Sequence, residues 1–304
     1  MTKLNFIGYY KKPFDFCYIT DKMLIDSMLP LRDDSFLFTD WNDVNSDLSC
    51  LTFDLKRREV IQSNFNDADV NIILEIPTKT STHVSLQKVF PILQTMAELN
   101  LPGINSAKTF VNFQDKSYLW KNPNLPFPRT YYADENSDLV KILSNLSEDV
   151  IVKPTDTDGG YGVVRLPNNY SAVRENINFR KQDSPFMIQE YLPEISEGER
   201  SLFFFNKKFK YAMLKKPKQD QFKCNEDCVE SLTRYYPLLR EIEIARQALV
   251  TMNTASVLER VDMTSSGKIM EMTIDCPGLY LVEAGVENEI GNWFYESIDA
   301  VKKH

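Results

Sequence analysis

Two apolar runs near the end of the chain, VLERVDM at 257–263 and KIMEMTI at 268–274, flank the turn TSSG. Alternating strands separated by a short Gly-bearing turn predict an antiparallel hairpin. Each run carries a carboxylate near its middle, Asp262 and Glu271. An unpaired charge inside such a strand is costly to bury, so the fold must supply a partner or expose the group. Three arrangements satisfy that demand: a solvent-facing alternation, an ion pair with Arg260, or a magnesium ion. Magnesium takes one or two protein carboxylates and completes its octahedron with water and phosphate oxygens.

Upstream of this hairpin the texture changes twice. Residues 1 to about 110 predict an α/β unit, with buried strands at LNFIGYY and VNIILEI. The segment 84–99 has helical apolar spacing, with Pro91 expected to kink it or to lie in its first turn. Next come a short helix in FQDKSYLWK, an extended LPFPRTYYA, and a helix in NSDLVKILSNL capped by Asn136 or Ser137. DVIVKP predicts a strand running into the hairpin TDTDGGYGVVRL, followed by a helix over SAVRENINF and a strand at PFMIQEYL. SLFFFNKKFKYAMLKKP predicts two strands about Asn206-Lys207, and PLLREIEIARQALVTMN predicts a helix.

Composition narrows the function classes. A formal net charge of -8 argues against a general nucleic-acid binder. No apolar run approaches the roughly 18–20 residues that span a bilayer, and the N-terminal residues lack a secretory pattern. The five scattered cysteines suit a reducing cytoplasm. Cys224 and Cys228 lack zinc-ribbon spacing, and His83 and His304 are the only histidines, so neither a His-rich metal site nor a nucleophile triad is expected.

Two further features could serve a polyphosphate alongside the hairpin carboxylates. Lys153 ends a strand and is followed by Thr155-Asp156-Thr157-Asp158-Gly159-Gly160-Tyr161-Gly162. Glycines admit phosphate close to backbone N–H groups, and a lysine adds a point charge. The loop lacks the Walker spacing and is also compatible with an ordinary hairpin. Lys215, Lys216, Lys218 and Lys223 form a basic set around a strand end, where a solvated face is the default, above all for Lys218.

In their order, DKSYLWK, IVKPTDTDGGYGVVR, MIQEYLPEISEGERSLFFFNKKFKYAMLKKPK, FKCN and ERVDMTSSGKIMEMTIDCPGLYL resemble the ATP-grasp superfamily, especially its prokaryotic glutathione-synthetase-like branch. The resemblance spans residues 115–281. It implies an α/β ATP-grasp fold, with an N-terminal α/β domain at 1–111, a flap-bearing subdomain at 112–187, and a metal and nucleotide subdomain at 188–304, the latter two clasping ATP.

The resemblance also implies roles. Lys116 and Lys153 match the lysines that hold the α- and β-phosphates. Asp156 to Gly162, including Asp158, Gly159, Gly160 and Tyr161, match the flap over the triphosphate. Gln189, Glu190, Tyr191 and Leu192 match the adenine-reading hinge, largely through backbone atoms, and Glu199 matches the ribose-binding acid. Lys215 or Lys216 falls on the nucleotide-side basic strand. Lys223 and Asn225 stand where catalytic residues face the γ-phosphate and the acyl-phosphate. Asp262 and Glu271 match two magnesium ligands, and Thr273 stands at the third, usually Asn or Glu, with Asp275 as a substitute on the same strand face. Lys223 and Ser201 replace the more usual arginines.

The activity so implied is an ATP- and Mg2+-dependent carboxylate–amine ligase working through an acyl-phosphate, with Mn2+ as an alternative ion. Its expected partners are small carboxylate and amine substrates, an amino acid or small peptide first, with no nucleic acid or membrane and with a homo-oligomer in keeping with similar ligases. The alternatives are a peptide- or protein-modifying ligase and a catalytically degenerate ATP-binding regulatory protein, the last motivated by Thr273.

Overall fold

The computed structural model describes all residues except 12–14, 17–18, 78–84, 114, 147–148, 158, 180–184, 253–255, 275–276 and 303–304. Two expected site residues, Asp158 and Asp275, therefore lie outside the described residues. The N-terminal lobe comprises β1 (Lys3–Gly8), α1 (Ile19–Met28), β2 (Ser35–Val44), β3 (Ser49–Asp54), β4 (Glu59–Asn64), β5 (Val70–Ile73), α2 (Leu86–Glu98) and β6 (Gly103–Ile104). Its sheet has the order β4-β3-β2-β1-β5-β6, with β2, β1, β5 and β6 parallel. The central strands read as continuous apolar runs because both faces are covered. Leu4 and Phe6 pack with Leu24 and Met28 of α1, whereas Ile7 and Ile73 pack with Val89, Ile92 and Leu93 of α2. Pro91 sits inside α2, whose start is set by Ser85 accepting from the Lys88 N–H.

The middle of the chain adds α3 (Ala107–Phe113), α4 (Tyr118–Lys121), β7 (Thr130–Ala133), α5 (Leu139–Leu143), β8 (Asp149–Pro154), β9 (Val164–Pro167), α6 (Tyr170–Phe179) and β10 (Phe186–Glu190). An antiparallel sheet of order β9-β8-β10-β7 buries Val150, Val152 and Ile188 against Leu139, Val173 and Ile177 of α5 and α6. Two local expectations are corrected here. Of the expected helix over FQDKSYLWK only Tyr118–Lys121 is helical, α3 ending at Phe113 and Lys116 between them having a φ of 52°. The N-cap of α5 is Asp138, which accepts from the Lys141 N–H, because the Ser137 hydroxyl is engaged by Asp134.

The last part comprises β11 (Glu199–Phe205), β12 (Lys208–Pro217), β13 (Val229–Tyr235), α7 (Leu239–Thr251), β14 (Leu258–Met263), β15 (Ile269–Thr273), α8 (Leu281–Ala284) and α9 (Ile290–Val301). Its antiparallel sheet has the order β13-β12-β11-β14-β15. Period-two alternation divides β11: Leu202 and Phe204 pack with Ala245 and Leu249 of α7, while Phe203 and Phe205 join the core of the N-terminal lobe. Helix α9 completes that core. Gly291 lets it lie against α1 so closely that a Cβ would fall 2.5 Å from the Ser27 carbonyl oxygen.

Strands β2, β3, β4 and β13 and helices α1, α8 and α9 were not anticipated, although the apolar spacing of Ile290, Phe294 and Ile298 was available in the sequence. Among the described residues, no helix is long and apolar enough to cross a membrane.

Asn105 ties the N-terminal lobe to the last part of the chain through its side chain. Asn105, after β6, donates to the carbonyls of Leu258 and Ile274 at 2.6 and 2.8 Å. Its Oδ1 accepts from the N–H groups of Val257 and Leu258. Asn105→Ala leaves four buried backbone groups without these partners and is expected to cost about 3–5 kcal/mol, measured by urea unfolding.

Candidate active site

Strand register builds the site. Glu199 opposes Lys215, Ser201 opposes Asp262, Asp262 opposes Glu271, and Arg260 opposes Thr273. Directly opposed residues project to one face, so the polar residues of β11, β12, β14 and β15 form a continuous row. The opposite face carries Val261, Met263 and Met272 into the core around α7. Tyr118 of α4 anchors the edge strand at this point, its hydroxyl donating to the Met272 carbonyl and accepting from the Met272 N–H.

Within the row, Asp262 is 3% exposed and surrounded by donors. The Arg260 Nε lies 3.0 Å from both its oxygens, Arg260 Nη2 lies 2.9 Å from Oδ2, and Ser201 donates to Oδ1 at 2.5 Å. Lys215 pairs with Glu199 and lies 3.8 Å from Asp262. Burial opposes ionisation of Asp262, but Arg260 and Lys215 outweigh it and hold the carboxyl below its usual range. For Glu199 burial dominates and raises the carboxyl despite Lys215. Lys216, two-fold out of phase with Lys215, is exposed, so Lys215 is the lysine that the strand turns into the site.

The middle of the chain supplies two further cations, Lys153 from its sheet and Lys116 from the break before α4. Lys153 on β8 opposes Met187 and projects to the face away from α5 and α6. Lys116 reaches Glu271 Oε1 at 2.9 Å and the Thr157 carbonyl at 2.8 Å. Burial drives Lys153 down to about 8, only partly offset by Glu271, with Lys116 adding repulsion. Burial disfavours the Glu271 anion too, yet Lys116 and Lys153 hold its carboxyl below the ordinary value.

The glycine loop closes the space. Gly159, Gly160 and Gly162 have φ of 60°, 69° and 73°, a region that side-chain-bearing residues adopt at a cost. Gly160 is needed twice over, since a Cβ there would meet Asn225 Oδ1 at 2.2 Å. Lys223 donates to the Gly160 carbonyl at 3.2 Å, and Thr157 donates to the Tyr161 carbonyl at 3.0 Å. The ring of Tyr161 is exposed. FKCN therefore packs against the loop from across the cleft.

The side chains of the expected hinge are engaged within the protein, and the N–H groups of Glu190 and Tyr191 bond the Arg129 and Asp149 carbonyls. The Gln189 amide donates to Thr130, and Glu190 projects to the outer face, where it binds the Arg129 side chain at 2.8 Å. Tyr191 stacks under Arg165, 3.9 Å away, and Leu192 opens a short 3-10 turn over Pro193–Glu197. Lys218 is exposed and bonds the Asp227 carbonyl.

Sequence reasoning missed the supporting roles of Ser201 and Thr157. Arg260 was visible only as one partner for Asp262, although its position two residues earlier places it on the same face.

Among the described residues, Asp262, Glu271 and the Thr273 hydroxyl are the expected oxygen donors to a hard cation. Thr273 accepts from Arg260 Nη2 at 3.1 Å, so its hydroxyl is already engaged. Among the described residues no group of three or more His, Cys, Asp or Glu could cage a metal. Two carboxylates on one face suit magnesium shared with phosphate oxygens, and manganese by the same chemistry, but not an all-protein cage.

Residues 116–278 match the family described as prokaryotic glutathione synthetase, ATP-grasp domain. The glutathione synthetase of Prochlorococcus marinus subsp. pastoris is 26% identical over 117 residues, covering 38% of each chain. The chain thus spans about two-fifths of that relative's length. Solved structures with the same fold include D-cycloserine synthetase DcsG, with a TM-score of 0.70, 15% identity and coverage of 97% of this chain and 99% of that one. The ATP-grasp ligase PsnB, complexed with a phosphomimetic variant of its minimal precursor, Mg and ADP, has a TM-score of 0.66 at 10% identity, covering 99% of each chain.

Two stability measurements test the electrostatics. Glu271→Gln strands Lys116 and Lys153 and is expected to cost about 1–3 kcal/mol without nucleotide, allowing for partial solvent screening. Sodium tripolyphosphate should shrink that loss by pairing the lysines again. Lys153 is protonated in both states below pH 8, where the burial penalty is complete. Between about pH 8 and the ordinary 10.5, the folded chain has released a proton that the unfolded chain still holds. Stability to urea should therefore rise with pH across that window, and the rise should be lost in Lys153→Met.

Proposed function

Because the chain belongs to the prokaryotic glutathione synthetase ATP-grasp family, we propose that it is an ADP-forming carboxylate–amine ligase. The observation that carries this reading is the cleft in which Lys116 and Lys153 face the Asp262–Glu271 pair. Cations there suit phosphate oxygens, and paired carboxylates suit magnesium shared with them. When bound, the magnesium ion would neutralise phosphate charge from Asp262 and Glu271.

In the proposed reaction a substrate carboxylate oxygen attacks the γ-phosphorus of ATP, the bond to the β-phosphate oxygen breaks, and ADP leaves. An amine then attacks the carbonyl carbon of the acyl-phosphate, loses a proton, and phosphate departs with the bonding electrons. The chain's own residues contribute positioning and electrostatics rather than a covalent nucleophile. Lys116 and Lys153 would exchange Glu271 and the Thr157 carbonyl for phosphate oxygens. Lys215 and Arg260 lie beside Asp262, on the face that the proposed triphosphate would meet. The Gly159–Gly160 loop, held by Lys223 and packed against Asn225, would exclude water from the intermediate. The hinge at 189–192 would meet the adenine through backbone, and Glu199 the ribose.

The substrates proposed are a small amino acid or short peptide and a carboxylate partner. The division into 1–111, 112–187 and 188–304, a cytoplasmic location, and a homo-oligomer belong to the same reading. A second reading, a nucleotide-binding regulatory protein, is favoured by one observation: Arg260 holds both Asp262 and Thr273, leaving magnesium to compete for its ligands.

Incubation with MgATP and a panel of amino acids should yield ADP, phosphate and an amide product detected by mass spectrometry. Lys153→Met should raise KM for ATP by about tenfold or more, and Glu271→Gln should lower kcat by roughly 10²–10³-fold. Full activity in both variants would sink the site assignment. Tight MgATP binding with no ADP release across the panel would favour the regulatory reading.

A further inference from the structure

The N-terminal sheet ends on β6 at one side and on β4 at the other. Strand β6 is two residues long, whereas β4 runs over Glu59–Asn64 and pairs with β3 along its whole length without a bulge.

The hydrogen-bond pattern tells which backbone groups of β4 face outward. The Phe65 N–H donates to the Leu48 carbonyl, so 48 and 65 form a hydrogen-bonded pair that continues the β3–β4 register. Such pairs alternate in an antiparallel ladder, so Ser63, Ile61 and Glu59 turn their backbone groups toward β3. The N–H and C=O groups of Val60 and Gln62 therefore point along the open edge. The outward N–H of Asn64 is taken by the Asp67 carboxylate at 2.9 Å. Among the described residues no further strand pairs with this edge.

Long open edges are usually blunted by a proline, a lysine, a bulge or a covering group. The edge strand β15 is covered in this way, because the Tyr118 hydroxyl bonds both backbone groups of Met272. The run VIQSN at 60–64 carries no proline or charge. Leu51 and Val60 lie on one face of the β3–β4 pair and keep 46% and 56% of their area exposed, which a monomer gains nothing by showing.

Charge along the edge selects the occupant. Lys56, Arg57 and Arg58 precede β4, while Asp67 follows it and Asp47 lies beside its end, its carbonyl accepting from the Asn64 amide; all five charged groups are exposed. Lys56 leans on Asp33 and Arg57 on Asp54, but Arg58 takes no ion pair among the described residues. A strand that is basic at its start and acidic at its end complements itself when two copies run antiparallel. A uniformly acidic partner would be repelled at Asp67, and a uniformly basic one at Arg58.

We infer that β4 is the interface of a homodimer in which two copies of this chain pair antiparallel about a two-fold axis at Ile61, joining their N-terminal sheets into one. Val60 and Gln62 would exchange ladder hydrogen bonds across the axis, Ile61 would meet its own counterpart, and Arg58 would face the partner's Asp67. The inference gives a face to the homo-oligomer of the ligase reading and stands on the edge strand without that chemistry.

Sedimentation velocity of the full chain over roughly 1–100 µM should reveal a species of twice the chain's mass, weakened as salt is raised to about 1 M. Q62P removes an outward N–H that β3 does not use, and R58E sets like charges against the partner's Asp67. Each should weaken the dimer by about tenfold or more, with circular dichroism matching the wild-type chain. D67K should also weaken it, whereas an equimolar mixture of R58E and D67K should dimerise, because each copy then meets opposite charge in the other. A chain that stays monomeric at about 100 µM overturns the interface. So does a dimer of unchanged affinity in Q62P and R58E, which must form through another face. If D67K misfolds through loss of its bond to Asn64, Q62P and R58E still decide. Turnover of MgATP is read separately. A dimer that releases no ADP removes the ligase reading alone, and ADP release by a persistent monomer removes the interface alone.

Discussion

The buried charge set on one face of the C-terminal sheet is the constraint on which the rest of the structure depends. Asp262 and Glu199 are tolerable in a desolvated strand face only because Arg260, Lys215 and Ser201 surround them. Glu271 is tolerable because Lys116, from the break before α4, pairs with it and Lys153 acts on it from the facing sheet. Four cations thus surround three carboxylates, two of them from the same sheet, Lys116 from the break before α4 and Lys153 from the facing sheet. Such a set is worth little as a source of stability, since desolvation consumes most of the attraction. In the proposed reaction, cations held in place in this way would meet phosphate charge with little reorganisation.

That preorganisation has structural costs met by apolar packing elsewhere. The same strands that show charge on one face bury Leu202, Phe204, Val261 and Met272 on the other, against α7. Beyond Ser201 the charged face itself turns apolar, and Phe203 and Phe205 enter the core shared with α1 and α9. The stacked pair Phe203 and Tyr211, 4.4 Å apart, marks the boundary between the charged half of the sheet and the half docked on the N-terminal lobe. Asn105 and the close approach at Gly291 then hold the lobes together.

Legibility in the sequence followed the range of the interaction. The hairpin of β14 and β15, the Asn206-Lys207 turn and the helix α7 were readable because alternation, turn chemistry and helical spacing are local signals. The register that sets Asp262 opposite Glu271 was nearly readable, since a short turn allows few alternatives. The strands β2, β3 and β4 were not, because their pattern is interrupted by polar positions such as Thr39 and Thr52 that are buried and bonded to one another. The break at Lys116 was hidden as well: nothing in FQDKSYLWK announces that its lysine adopts φ of 52° to reach Glu271 and Thr157.

By itself the sequence determined which residues could do chemistry: lysines at 116 and 153, a glycine loop, and carboxylates at 262 and 271, in an order resembling one family. It did so because strand alternation and glycine conformation act over a few residues. Only the tertiary structure decided which partner each charge takes. The choice between solvent, Arg260 and a cation for Asp262 depends on how a buried face is desolvated and on what the facing sheet brings near. The structure alone also turned Glu190 outward to Arg129 and selected Lys215 over Lys216.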